Sequence, residues 1–111
     1  MQPVLRLPLA DARARALETS HRLAEARARE AATLAGHAAE IAPADARYAF
    51  TQAFYLERAG DAAGAERVLR GLVTRHPGYR DGWAFLGALL EGRGRAADAA
   101  FFPAAAPVEC Q

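Results

Sequence analysis

Three histidines, His21, His37 and His76, are the side chains best suited to general acid–base work near neutral pH. Glu18-x-x-His21 has the spacing that puts a carboxylate and an imidazole on one helix face, as in half of a helix-bundle di-iron site. Such a site needs a second Glu-x-x-His step and two further inward carboxylates. The chain has one such step, and Glu18 belongs to a charged face. His37 with Glu40 reads as a helical surface pair, and His76, in Arg75-His76-Pro77, as a residue at a helix C-terminus, where partial positive charge is favoured. The single cysteine, Cys110, has no CxxC partner, which excludes an internal disulfide and a thiolate metal centre. No glycine-rich phosphate loop, G-x-S-x-G elbow or Cys–His pairing occurs. These residues predict no enzyme, no cofactor and no metal.

Bulk composition narrows the remaining classes. The 111 residues carry 14 cations, all arginine, against 13 anions, for a net charge of +1. Nucleic-acid binding, which needs a concentrated basic surface, is not expected. Arg67, Arg70, Arg75 and Arg80 alternate with apolar core positions and read as a solvated face. No segment approaches the ~20 apolar residues of a membrane span. Residues 1–9 are interrupted by Arg6 and Pro8 and make no signal-peptide core. The expectation is a soluble protein without membrane contact, in the cytoplasm, or in the periplasm if an export signal has been removed.

The elements that must position any site follow from a 34-residue internal repeat. Pro43 falls on Pro77, Gly60-Asp61 on Gly94-Arg95, Ala53 on Gly87 and Leu56 on Leu90, with Ala31, Ala65 and Ala99 in series. Apolar residues from Tyr48 to Leu56 recur at three- and four-residue steps and predict a helix over 45–59. Gly60 supplies a left-handed stop and Asp61 an N-cap for a second helix through Ala65, Leu69, Leu72 and Val73, which ends before Pro77. Residues 79–92 repeat the first helix, and Gly94 turns the chain into 95–102. Small residues at Ala53, Ala65, Gly87 and Ala99 predict close helix crossings, so Gly87 is expected to sit where two axes approach.

Trp83-x-x-Leu86-Gly87-x-x-Leu90-x-x-x-Gly94-Arg95-x-x-x-Ala99, with Pro77, resembles the tetratricopeptide signature. The resemblance covers residues 44–77 as one repeat, with Ala49 and Gln52 where large apolar residues are usual, and 78–102 as a second, truncated one. It implies an all-α, short right-handed solenoid of antiparallel helical hairpins that binds peptides or partner proteins. By the same resemblance, the first helices line a groove through Arg47, Phe50, Phe54, Glu57 and Arg58, then Asp81, Ala84, Ala88 and Glu91. Phe50, Phe54, Ala84 and Ala88 do not suit a carboxylate clamp. They suit an apolar segment, unless Phe50 and Phe54 pack on the N-terminal helix instead.

Both ends depart from the pattern. After an extension over 1–10, residues 11–43 read either as one continuous helix or as a degenerate repeat. Arg15, Glu18, Arg22, Glu25 and Arg29 alternate in sign at helical steps across the expected turn near Ala26-Arg27. At the other end Pro103 cuts the last helix short, and a Pro/Ala-rich tail occupies 103–111. With no polar capping helix, Trp83, Leu86, Leu90, Phe101 and Phe102 are expected to form an exposed apolar end that also binds a partner. The expected function is a protein-binding adaptor or accessory subunit, with a self-associating structural subunit, a homo-oligomer, as the alternative.

Overall fold

A computed structural model describes residues 9–94. The expected extension before Leu9, the helix over 95–102 with Phe101 and Phe102, and the tail lie outside the described residues. The described chain is all-α, with four helices: α1 Leu9–Ile41, α2 Ala46–Arg58, α3 Ala62–Arg75 and α4 Arg80–Gly92. Each packs on the next in chain order.

Sequence punctuation sets the boundaries. The Asp45 carboxylate accepts from the Arg47 backbone N–H at 3.0 Å and so N-caps α2. The Arg47 side chain grips the same carboxylate, at 2.8 Å for Nη2–Oδ2. That hydrogen bond, more than simple charge attraction, lowers the Asp45 pKa from 3.8 to about 2. Because the folded-state value is depressed, the contribution of this cap to stability is complete above pH ~4 and fades as pH falls towards 2. Thermal melts of wild type and Asp45→Asn should therefore differ at neutral pH and converge below pH 2. A constant difference across that range would contradict the assignment.

The next boundary is equally local. Gly60 adopts φ +88°, the left-handed conformation that costs glycine nothing, and stops α2. Asp61 then caps α3, accepting from the Gly64 N–H at 2.8 Å. A Cβ at residue 64 would fall on that carboxylate, so Gly64 leaves room for the cap. Asp61→Ala should cost about 1 kcal/mol of unfolding free energy, measured by urea denaturation.

The repeat is visible in the backbone. Each end of α4 lies one period after the matching end of α2, and the end of α3 lies one period after that of α1. Gly94, at φ +76°, repeats Gly60. Loop hydrogen bonds repeat as well: Asp45 N–H to Ala42 O is matched by Tyr79 N–H to His76 O, and Ala42 N–H to Ala38 O by His76 N–H to Leu72 O.

Of the two readings of the N-terminal third, the continuous helix is the one observed, starting at Leu9 rather than Asp11. One period before the Gly60-Asp61 turn, the equivalent position is occupied by Ala26-Arg27. Neither residue favours a left-handed turn nor caps a helix, so nothing interrupts α1. Its C-terminal half packs on α2 through Ala28, Ala32 and Ala35, all buried. There a Cβ at Gly36 would lie 2.8 Å from Gln52 Nε2, so glycine leaves room for the Gln52 side chain.

Ala53 and Ala65 are fully buried, as expected of the small residues where α2 crosses α3. They join Leu69, Leu72, Leu86 and Leu90 in the core. One expectation is corrected. Leu86 and Leu90, assigned to an exposed apolar end, have no accessible surface, because they face α3. Gly87 meets no described atom within 4 Å of a Cβ built there; its expected partner, Ala99, lies outside the described residues. α4 approaches α3 closely at Gly82, where a Cβ would lie 3.2 Å from Leu72 Cδ2 and 3.3 Å from Val73 Cγ1.

Candidate functional site

The groove residues inferred for α2 and α4 share one face, but they do different things. Phe50 is half-buried between two rings, Tyr79 at 5.8 Å and Phe85 at 5.6 Å between centroids. It therefore ties α2 to α4. Phe54, one turn later, is 39% exposed. Its ring meets Tyr55 edge-on at 5.1 Å, and the Arg58 guanidinium sits 5.5 Å from its centroid, within cation–π range.

Two shallow hollows run along this face. One, of about 380 Å³, is bounded by Phe50, Phe54, Asp81, Ala84 and Phe85. The second, of about 400 Å³, lies between Glu57 and Ala62 on one side and Phe85, Ala88, Leu89, Gly92 and Arg93 on the other. Phe85 is common to both. Ala84 and Ala88, exposed methyls on α4, leave the floor open between Phe54 and Phe85. Asp81 and Glu57 stand at its margins.

The other groove residues line neither hollow. Arg47 is committed to Asp45. Arg58 also borders the hollows between α1 and α2, one of them with Ser20, Leu23 and Tyr55. Glu91 is exposed in the last turn of α4 and lines neither hollow. Of the expected exposed end, Trp83 is half-buried, and its indole N–H donates to Pro77 O at 2.8 Å.

Tyr79 meets Phe50 edge-on and lines neither hollow. Burial, followed by the charge of Asp81, pushes its phenol pKa up, so the hydroxyl stays neutral across the physiological range. His76 is the C-cap of α3, at the helix C-terminus where it is expected, whereas His21 does not take Glu18 as its partner. His21 pairs with Glu25 at 3.1 Å, while Glu18 pairs with Arg22 at 3.0 Å. His76 Nε2 lies 3.2 Å from Pro43 O and links the two equivalent loops. No group of three or more His, Cys, Asp or Glu side chains suited to a metal occurs among the described residues.

Two participants escaped the sequence reading. Phe85 stands one period after Thr51, so the repeat alignment gave it no aromatic counterpart. Glu66, only 9% exposed, stands one period after the buried Ala32. Its carboxylate accepts from Arg70 Nε at 2.9 Å and from Arg93 Nη1 at 2.6 Å, joining α3 to the end of α4. Arg70 thus belongs to a part-buried ion network rather than a purely solvated face. The signal available was Glu66 followed by Arg70 at the i,i+4 step that favours pairing.

No family model, curated protein or solved structure matches the chain. No described helix is long and apolar enough to cross a membrane.

Proposed function

We propose that the chain is a short tetratricopeptide-type module, a right-handed solenoid of helical hairpins, that docks an apolar segment of a partner protein in the α2–α4 groove. The open aromatic floor carries this reading: exposed Phe54 and Ala84 line one hollow, Ala88 lines a second, and Phe85 lines both. Exposed aromatics beside small side chains give a segment large apolar contact area at low entropic cost. The periodic recurrence of helix ends, loop hydrogen bonds and left-handed glycines supports the solenoid. The role is binding, as adaptor or accessory subunit, with no chemistry at the groove.

Affinity capture with wild type, Phe54→Ala and Ala88→Arg tests the proposal. Both substitutions lie on exposed positions and should leave the thermal transition within a few degrees of wild type. Each should weaken capture of the groove partner at least about tenfold, or ~1.4 kcal/mol. Identical partner lists and affinities for all three proteins would overturn it.

A further inference from the structure

The hollows of the α2–α4 face carry a sign of charge as well as an apolar floor. Asp81 lines the first and Glu57 the second. Both are exposed, and among the described residues neither carboxylate has a hydrogen-bond or ion-pair partner. The arginines described nearby are committed elsewhere. Arg47 grips Asp45, and Arg93, at the edge of the second hollow, is held by Glu66 at 2.6 Å. Arg58 lies over the Phe54 ring, and neither it nor Arg80 lines a hollow of this groove. A chain of net charge +1 thus presents an acidic groove. Glu57 also stands in the last turn of α2, where the helix dipole disfavours negative charge. Asp81, in the first turn of α4, is placed where that dipole favours it. Helix stability therefore accounts for Asp81 but opposes Glu57.

We infer that the segment docked in this groove is cationic: an apolar stretch with Lys or Arg on both sides, one for Asp81 and one for Glu57. The inference rests on the docking role proposed above. Order along α2 (Phe50, Phe54, Glu57) runs with order along α4 (Asp81, Ala84, Ala88) from the first hollow to the second, so the two helices flank the groove in the same direction. Glu57 lies level with Ala88, seven residues after Asp81, which sets the two carboxylates roughly 10 Å apart along the groove at ~1.5 Å per residue. Two turns of helix, or three residues of extended chain, place two cations at that spacing. Between them the floor of Phe54 and Phe85 takes the apolar side chains. An acidic segment would meet like charge at both ends. A purely apolar one would partly desolvate both carboxylates without giving either a partner.

Selection from a random dodecapeptide library displayed on phage, with the full chain as bait, tests the inference. Recovered peptides are made synthetically with a fluorescent label and measured by polarisation against wild type and variants. Those that need Phe54, judged by loss with Phe54→Ala, should carry Lys or Arg on both sides of an apolar stretch. Asp81→Asn and Glu57→Gln should each weaken them about twofold to fivefold, the range of a partly exposed ion pair, and less at high salt. Glu57→Gln should leave the thermal transition unchanged or raise it, because it removes a charge that the end of α2 disfavours. Glu40→Gln, the same change at an exposed residue in the last turn of α1, should leave peptide binding intact. Selection against Glu57→Lys should replace the cation at that flank with Asp or Glu. Phe54-dependent peptides with neutral or acidic flanks, or indifferent to both Asp81→Asn and Glu57→Gln, would overturn the inference and leave the groove as a docking site. A selection that returns no Phe54-dependent peptide would overturn the docking role and this inference together.

Discussion

Leu86→Ala is expected to lower the unfolding free energy by about 2–5 kcal/mol. Leu86 has no accessible surface and sits with Leu69, Leu72 and Leu90 in the core. Truncation removes buried methyl groups and leaves a cavity that packed helices close only in part. The surface reading of the same residue makes a different forecast: an exposed leucine in a docking patch would change stability by less than ~0.5 kcal/mol and would act on binding alone. Urea denaturation monitored by circular dichroism separates the two. A midpoint that drops with an unchanged slope identifies lost core packing.

Gly82→Leu should cost about 1–3 kcal/mol by overpacking. A bare Cβ at this position already comes within 3.2–3.3 Å of methyl groups on Leu72 and Val73, both buried and hemmed in by the core. A full leucine must push α4 away from α3. Gly87→Ala is the contrasting substitution. No described atom stands in its way, and exchanging glycine for alanine inside a helix favours the helix by up to ~1 kcal/mol. No loss at residue 82 would mean that the tight contact between α3 and α4 has been misplaced.

The Gly82 contact shows what sequence alone conveys. Local punctuation was legible. Asp45 and Asp61 cap helices, Gly60 turns left-handed, and α3 stops before Pro77, because each effect depends on a residue's own backbone and its next few neighbours. The repeat period was legible for the same reason. Which face of α4 meets α3 was not, because that depends on the rotation of one helix against another. Leu86 and Leu90 are apolar whether they face α3 or a partner, and only the packing distinguishes the cases. The N-terminal third shows the opposite balance. A continuous charge pattern and the lack of Gly or Pro between Ala10 and Ala35 favoured the unbroken helix that is found.

The groove was half legible. The repeat placed Phe50, Phe54, Ala84 and Ala88 on one face, but it could not separate a structural ring from an exposed one. Phe50 is held between Tyr79 and Phe85, whereas Phe54 faces solvent beside Arg58. Phe85, central to both hollows, breaks the repeat and was invisible to an alignment that rewards sameness. Glu66 was hidden in the same way, since its equivalent in α1 is a buried alanine.

The central claim, that the α2–α4 face docks a protein segment, is tested most directly by site-specific photo-crosslinking in native extract. A photoreactive phenylalanine analogue at Ala84 or Ala88 points into the hollows, and the same group at Ala63 or Thr74, exposed on α3, does not. The account predicts a discrete adduct from positions 84 and 88 that is lost with Phe54→Ala and absent from positions 63 and 74. No adduct from the groove positions, or the same adducts from all four, would contradict it.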